Sequence, residues 1–241
     1  MSDNKGKLYL LPTPIGDNDI FASIPVYNKT IIDTIRVFVV EEIRTARRFL
    51  RKLNPDFPID DCRFYILNEH TLSSIDLSSI LRLAIEGESI GVLSEAGLPC
   101  VADPGSDLVL LAQQKDITVV PLVGPSSITM TLMASGLCGQ QFAFHGYLPA
   151  NKSELIDKVH KLEQSSRLQR QTQLFIETPY RNNQVFDALL TVCKANTLLC
   201  IACNINQNEE YIKTKTIMQW KQCPQPQLHK KPTVFALLAE K

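Results

Sequence analysis

The chain has 241 residues, of which 44% are hydrophobic, so it can fill one large core or two ordinary ones. Its formal net charge is zero, but residues 1–122 carry 12 basic and 17 acidic residues, whereas residues 123–241 carry 13 and 8. The basic second half favours a polyanionic partner. No stretch approaches the roughly 18 consecutive apolar residues of a membrane span, and the first residues lack the apolar core of an export signal. We therefore expect a cytoplasmic protein that does not enter a membrane.

Short apolar runs of strand length alternate with segments of helical periodicity. In the first half the predicted strands are KLYLLP, VFVVEE, RFYILN, SIGVLS and ITVVPL, and helices such as TARRFLRKL and SSILRLAIEG separate them. In the second half the predicted strands are FAFHGYLP, TQLFIETP, LLCIACNI, EEYIKTKTI and PTVFALLAE. Strand–helix–strand repetition predicts a parallel sheet, and the short connections between the last three runs suit a mixed sheet.

This pattern predicts an α/β fold with two domains, residues 1–122 and residues 123–241, and a cleft between them. The first domain is expected to contain the parallel sheet and the second the mixed sheet. Ligands of open α/β sheets bind at the carboxyl ends of strands, so the loops at those ends are the places to look for function.

Three unusual loops follow predicted strands. The first, PTPIG, has a single glycine and so lacks the G-x-G-x-x-G turn of a nicotinamide dinucleotide site. The second, SEAGLPCVADPGSD, contains Gly97, which allows close approach of a ligand to the backbone, and Asp103, which is predicted to cap the next helix. The third, VGPSS, places Ser126 and Ser127 at a helix N-terminus, where a simple cap is the alternative interpretation.

The segment EEIRTARRFLRK predicts a helix with an apolar face and basic flanks. The apolar face comprises Ala46, Phe49, Leu50 and Leu53, and the flanks carry Arg44, Arg47, Arg48, Arg51 and Lys52. A solvated helix face is the ordinary interpretation of such a cluster, and phosphate binding is the functional one.

The seven cysteines lack the spacing of a disulfide framework and lie mostly within apolar runs. We interpret them as reduced core thiols. Cys200 and Cys203 lie in a predicted strand, where their odd spacing directs the two thiols to opposite faces, so no metal site is predicted.

Six motifs in this order and at these distances resemble the tetrapyrrole methylase superfamily: LYLLPTPIG, EEIR, SEAGLPCVADPG, VVPLVGPSS, GYLPA and IETPYR. Within it they are similar to the branch of ribosomal small-subunit RNA methyltransferases that act on a cytidine 2′-hydroxyl. The resemblance covers nearly the whole chain. It implies a homodimeric methyltransferase that uses S-adenosylmethionine and acts on small-subunit rRNA.

The resemblance also implies which residues form the site. It assigns cofactor contacts to Pro12, Ile15, Gly16, Ser94, Glu95, Ala96, Gly97, Pro99, Ser126, Ser127, Ile176, Glu177, Ala202, Pro232 and Thr233. A ribose hydroxyl is a poor nucleophile, so a base or a cation near it would assist transfer. The candidates for these catalytic roles are Glu41, Arg44, Glu69, Glu177 and Arg181.

Two motifs and one single residue, Glu95 in place of an aspartate, depart from the family pattern and mark a divergent member. EEIR stands where the RNA enzymes usually have E-D-T-R, and CNINQ, residues 203–207, stands where the family typically has R-E-L-T-K. The second change removes an arginine, an acid and a lysine from the region expected near the acceptor. Two alternatives therefore stay open: a methylase of a tetrapyrrole-like small molecule, and an S-adenosylmethionine-binding module without catalysis.

Overall fold

The computed structural model describes residues 5–68, 70–71 and 75–240. The chain divides into two compact units, Met1–Ser126 and Ser127–Lys241. The division follows Ser126 rather than residue 122, because the intervening stretch packs on the first unit: Asn28 Nδ2 donates to Val123 O at 2.8 Å.

Unit 1 contains a five-stranded parallel sheet in the order β3-β2-β4-β1-β5. Its strands are β1 (Leu8–Leu11), β2 (Val37–Val40), β3 (Arg63–Ile66), β4 (Ile90–Leu93) and β5 (Val119–Pro121). All five coincide with predicted strands. The central strands β2 and β4 are buried on both faces, which explains their continuous apolar sequences.

The helices of unit 1 cover both faces of this sheet. They are α1 (Val26–Ile32), α2 (Ile43–Leu53), α3 (Leu77–Ile85) and α4 (Ser106–Gln114), with short 3₁₀ turns at Ile20–Ala22 and Ile59–Asp61. Helices α1 and α2 pack on the face that includes Phe38, whereas α3 and α4 pack on the face that includes Val39. The apolar face predicted for α2 is confirmed, since all four of its residues are buried.

Unit 2 contains a five-stranded mixed sheet in the order β6-β7-β10-β8-β9. Its strands are β6 (Phe142–Tyr147), β7 (Thr172–Glu177), β8 (Leu198–Cys203), β9 (Tyr211–Thr216) and β10 (Thr233–Leu238). Strands β6 and β7 are parallel, whereas β10 runs antiparallel to both β7 and β8, and β9 runs antiparallel to β8. The predicted fold class, an α/β protein with one parallel and one mixed sheet, is confirmed.

The helices of unit 2 are α5 (Ser127–Ser135), α6 (Lys152–Gln169), α7 (Asn182–Val192) and α8 (Ile217–Lys221). Helix α5 contacts β8, β9 and β10, while α6, α7 and α8 contribute to a core on the sheet. In this core the rings of Phe175 and Phe235 stack at 5.5 Å, and Trp220 Nε1 donates to Leu199 O at 2.9 Å. The indole thus buries its ring without leaving its N–H unpaired.

All seven cysteines are free. Within the described ranges, no helix combines the length and apolarity needed to span a bilayer.

Candidate functional site

The three loops singled out in the sequence meet at the carboxyl end of the first sheet, because β1 lies between β4 and β5. Thr13 and Gly97 exchange two backbone hydrogen bonds: Thr13 N donates to Gly97 O at 2.9 Å, and Gly97 N donates to Thr13 O at 3.1 Å. Thr13 Oγ1 also donates to Ser94 O at 3.3 Å. A Cβ added at Gly124 would lie 2.1 Å from Pro12 Cβ, so the third loop packs directly on the first. The first two loops and residues 123–126 of the third therefore form one cluster within unit 1.

Gly97 is at the centre of this cluster and is buried. Its φ of +84° lies in the left-handed region that favours glycine. An added Cβ would lie 3.2 Å from Ile15 Cγ2 and 3.5 Å from Pro125 O. The glycine thus meets two requirements, backbone conformation and close packing against a neighbouring loop.

The predicted cofactor residues of these loops differ in exposure. Pro12, Ser94, Gly97 and Pro99 are buried, Ile15, Gly16 and Ser126 are half-buried, and Glu95 and Ala96 are exposed. Ser94 Oγ donates to Gly97 O at 3.3 Å, so this hydroxyl stabilises the loop itself. Ser127 is the first residue of α5 in unit 2.

Three carboxylates, Glu41, Glu95 and Asp103, lie near this cluster. Glu41 follows β2, and its Oε1 accepts a hydrogen bond from Glu95 N at 3.2 Å. Burial, together with the negative charges of Glu41 and Glu95, raises the pKa of Asp103 to about 7. The loops therefore present concentrated negative charge, and one of its members titrates near neutral pH.

The prediction that Asp103 caps the following helix is wrong. Helix α4 begins at Ser106, and its N-cap is Gly105, which has a φ of +125° and makes no side-chain cap. The loop reaches this glycine through left-handed residues at Cys100 and Ala102, which places Asp103 among the acids instead. The position of Asp103 within the family-like loop SEAGLPCVADPG is the signal that marks it as a functional candidate.

Arg44 has an exposed side chain on the first turn of α2. Its backbone N–H donates to Glu42 Oε1 at 3.0 Å, and Glu42 is the N-cap of that helix. The structure thus gives the two adjacent acids different roles: Glu42 caps the helix, and Glu41 joins the acidic cluster. Arg47 of the basic flank pairs with Asp60 at 2.7 Å. Glu69 lies outside the described residues.

Glu177 and Arg181 form an ion pair at the end of β7 in unit 2, in which the carboxylate is buried and the guanidinium is half-buried. Glu177 Oε1 accepts from Thr178 N at 2.7 Å and from Arg181 Nη1 at 3.2 Å. Arg181 Nη2 donates to Pro149 O at 2.7 Å. The Glu177 side chain is fully buried, and its Oε2 has no hydrogen-bond partner among the described residues. The two predicted catalytic residues of this unit are therefore neighbours.

The other predicted cofactor residues of the mixed sheet lie at the same end of the neighbouring strands β7, β10 and β8. Their side chains alternate between the two faces of the sheet. Thr233 is opposite both Glu177 and Cys203, whereas Ile176 and Ala202 are both opposite Val234. Thr233 and Ala202 are buried, Ile176 is half-buried, and Pro232 is exposed. Residues opposite each other in an antiparallel pair share a face, so Glu177 and Thr233 belong to one face and Ile176 and Ala202 to the other.

Asn182 anchors the backbone beside the candidate residues of unit 2, and the sequence analysis did not identify it. Its Nδ2 donates to Lys231 O at 2.7 Å, to Leu228 O at 3.1 Å and to Thr233 Oγ1 at 3.2 Å. This amide therefore ties the segment before β10 to the start of α7. Its position after the ETPYR motif is the only local signal, because its partners are distant in sequence.

The CNINQ stretch forms a tight turn after β8. Asn204 and Asn206 have φ values of 52° and 60°, a left-handed conformation that asparagine tolerates better than most residues. Asn204 N donates to Pro232 O at 2.9 Å, which ties this turn to the start of β10. The residues that stand in place of the family motif thus form an ordered turn.

Comparisons with known proteins agree with this architecture. Two solved structures match 97% of the chain and 94% of their own lengths: the methyltransferase CobJ, with a TM-score of 0.61 and 15% identity, and uroporphyrin-III-C-methyltransferase from Thermus thermophilus, with a TM-score of 0.54 and 14% identity. At this identity the likeness establishes the fold. The chain therefore has the fold of the tetrapyrrole methyltransferases.

The sequence comparison identifies its relatives. "Ribosomal RNA small subunit methyltransferase I" of Vibrio cholerae is 29% identical over 219 residues, covering 88% of this chain and 72% of the relative. The protein of that name from Streptococcus pyogenes serotype M3 is 35% identical over 180 residues, covering 73% and 57%. No protein-family model matches the chain. The resemblance predicted from the sequence is confirmed: the chain is a divergent relative of these methyltransferases.

Proposed function

We propose that this protein is an S-adenosylmethionine-dependent methyltransferase that methylates a ribose 2′-hydroxyl of small-subunit rRNA. The observation that carries the proposal is the similarity, over most of the chain, to proteins named small-subunit rRNA methyltransferases. The likeness to tetrapyrrole enzymes is a likeness of fold at 14–15% identity, so it does not favour a tetrapyrrole acceptor.

The residues of unit 1 suit the proposed cofactor chemically. S-adenosylmethionine carries a positively charged sulfonium and an ammonium group, and the loops present Glu41, Glu95 and Asp103 in one cluster. Gly97 has no side chain, and its own N–H and C=O are bonded to Thr13, so it lets the loops after β1 and β4 pack closely at the proposed site. We assign cofactor binding to residues 12–16, residues 94–99 and Ser126 on these grounds.

In unit 2 we retain Ser127, Ile176, Glu177, Ala202, Pro232 and Thr233 as proposed cofactor contacts. The cofactor supplies an electrophilic methyl group when bound. The contribution of the protein is to hold the acceptor oxygen in line with that group and to accept or neutralise the proton that leaves.

Among the candidate catalytic residues, the pair of Glu177 and Arg181 is held rigidly by Thr178 N and Pro149 O, as positioning of an acceptor requires. Glu41 and Arg44 stay proposed catalytic residues of unit 1. We add Asp103 to them, because a carboxyl group with a pKa of about 7 can accept a proton at neutral pH.

Two further features belong to this proposal, a homodimeric state and a cytoplasmic location. Met133 on α5 is 82% exposed, which suits an apolar contact with a second copy. Sedimentation at low micromolar concentration tests the dimer, and a single species near 27.1 kDa would count against it.

The decisive experiment is a methyl-transfer assay with S-adenosylmethionine labelled on the methyl group. Undermethylated 30S subunits, free 16S rRNA and a tetrapyrrole are offered in parallel. The expected result is label in the subunit RNA, at a nucleotide whose 3′ linkage resists alkaline hydrolysis because its 2′-oxygen is blocked.

Other outcomes distinguish the alternatives. Label at an alkali-sensitive position would exclude the ribose hydroxyl as the acceptor, and label in the tetrapyrrole would replace the RNA proposal. Binding of S-adenosylmethionine without transfer to any acceptor would identify a binding module.

A further inference from the structure

One face of strand β9 carries an aromatic ring followed by two lysines. Tyr211, Lys213 and Lys215 are opposite Cys203, Ile201 and Leu199 of β8, so the three alternate residues share a face. β9 is the edge strand of the mixed sheet. Tyr211 and Lys213 are exposed, and Lys215 is half-buried.

The first recess on this face lies at the start of β9 and has a volume of about 310 Å³. Its lining includes Cys203, Tyr211, Glu209 and Lys231, together with two prolines. Glu209 and Lys231 form an ion pair at 2.7 Å. Aromatic, carboxylate and ammonium groups are thus available together, a combination that suits a flat ring with hydrogen-bond donors and acceptors on its edge, such as a nucleobase.

One wall of this recess is fixed by the amide of Asn182. Its Nδ2 donates to the backbone oxygens of Leu228 and Lys231, so the segment carrying Lys231 is held at both ends. Asn204 N, in the turn after β8, also donates to Pro232 O. A base entering the recess would therefore meet a preorganised wall, which lowers the entropic cost of binding.

The second recess lies further along the same strand and has a volume of about 470 Å³. Lys213, Lys215, Gln219, Gln222 and Cys223 contribute to its lining. Within the described part of the chain this lining contains no carboxylate. Lys213 forms no ion pair with any residue that the structure describes, so its charge is available to an anion.

We propose that this face of β9 binds a single-stranded segment of RNA beside the nucleotide that is methylated. One base stacks on Tyr211 in the first recess, and the following phosphates lie at Lys213 and Lys215 in the second. Stacking on an aromatic side chain combined with phosphate contacts along a basic groove is the usual way proteins bind single strands. The inference rests on the proposed function, which supplies RNA as the acceptor.

Lysines on an edge strand also have a structural role, because their charge prevents pairing with the edges of other sheets. That role requires no RNA contact. It predicts that neutralising these lysines leaves RNA affinity unchanged and instead promotes self-association of the protein.

The test measures binding of the full chain to a fluorescent single-stranded RNA of mixed sequence by anisotropy, over a range of salt concentrations. Lys213→Gln with Lys215→Gln is expected to weaken binding about tenfold and to lower the log–log salt slope by about 1.4, since each phosphate contact on a single strand contributes about 0.7. The matched control is Lys152→Gln with Lys161→Gln, which removes the same charge from exposed positions on α6. It is expected to change affinity less than about threefold.

Tyr211→Leu is expected to weaken binding by about fivefold to 150-fold, the range for loss of one stacked base. Tyr180→Leu, at a tyrosine that is 70% exposed in the same unit, is its control. Lys215 Nζ donates to Cys223 Sγ and lies 5.1 Å from the centre of the Trp220 ring, so the single variant Lys213→Gln is included as one that leaves these contacts intact.

The result that overturns the inference is wild-type affinity in both Lys213→Gln and Tyr211→Leu, or no binding of single-stranded RNA by the wild-type protein. Either result leaves the proposed function standing if the wild-type protein methylates small-subunit RNA. Conversely, RNA binding that depends on β9 without any methyl transfer would refute the proposed function and retain this surface.

Discussion

Replacing Gly97 with alanine tests whether the loop after β4 binds the cofactor. At its φ of +84° a residue with a Cβ is destabilised by about 1–2 kcal/mol. For a chain of this size each kcal/mol lowers the melting temperature by about 2–4 °C, so a decrease of about 2–8 °C is expected. The added Cβ also lies 3.2 Å from Ile15 Cγ2, so the loop after β1 must shift by a few tenths of an ångström.

These two effects separate in a binding measurement. The backbone strain is present in both the free and the bound protein, so it cancels in the dissociation constant, whereas displacement of Ile15 does not. Since a misplacement of about 1 Å in a site can cost a factor of about 100, we expect S-adenosylmethionine to bind Gly97→Ala about tenfold more weakly. Isothermal titration calorimetry measures this change directly.

Gly136 supplies the matched control. Its φ is +70°, but an added Cβ would have no atom within 4 Å, so Gly136→Ala introduces backbone strain without a steric neighbour. Its cofactor affinity should equal that of the wild type. Undiminished affinity in Gly97→Ala would show that Ser94–Pro99 lies outside the cofactor site, and equal losses in both variants would show that stability rather than contact controls binding.

Three further predictions concern stability. The folded protein binds a proton at Asp103 more tightly than the unfolded chain, so the wild type should lose stability as pH rises from about 4 to about 7, and Asp103→Asn should abolish that loss. Thermal unfolding across this pH range measures the effect, and an identical pH slope in the variant would rule out Asp103 as its source. Arg181→Gln should destabilise the protein by about 3–5 kcal/mol, since it leaves the Glu177 carboxylate buried without its cation, and the double variant Glu177→Gln with Arg181→Gln should recover most of the loss. If urea unfolding gives the double variant the same loss as Arg181→Gln alone, the unpaired Glu177 charge is not the cause. Asn182→Ala should cost about 1–3 kcal/mol and speed proteolysis near Lys230, and unchanged protection of that segment would contradict the anchoring role of Asn182.

The sequence predicted the strands well, because each is an apolar run of the right length bounded by turn residues. LYLL, IGVL and FALL carry this signal without help from the rest of the chain. The loops were also identifiable, since a long connection with Gly97 after a strand is unusual in a compact domain.

The contacts within the site depend on information that local sequence does not contain. Glu41 meets Glu95 because β2 lies beside β4, an adjacency fixed by the crossover connections of the sheet. The environment of Asp103 depends on the left-handed residues that precede Gly105, and the local D-P-G sequence instead suggested an ordinary helix cap. Asn182 was missed for the same reason, since its partners follow it by tens of residues.

The position of β10 affects how the protein folds while it is being synthesised. All strands of unit 1 end at or before Pro121, so its sheet can form while the remainder of the chain is still being translated. Strand β10 fills the middle of the second sheet, and until residues 233–238 leave the ribosome, β7 and β8 keep unpaired hydrophobic edges that can pair with other nascent chains. A chain that stops before Thr233 should therefore aggregate through unit 2 while unit 1 still folds.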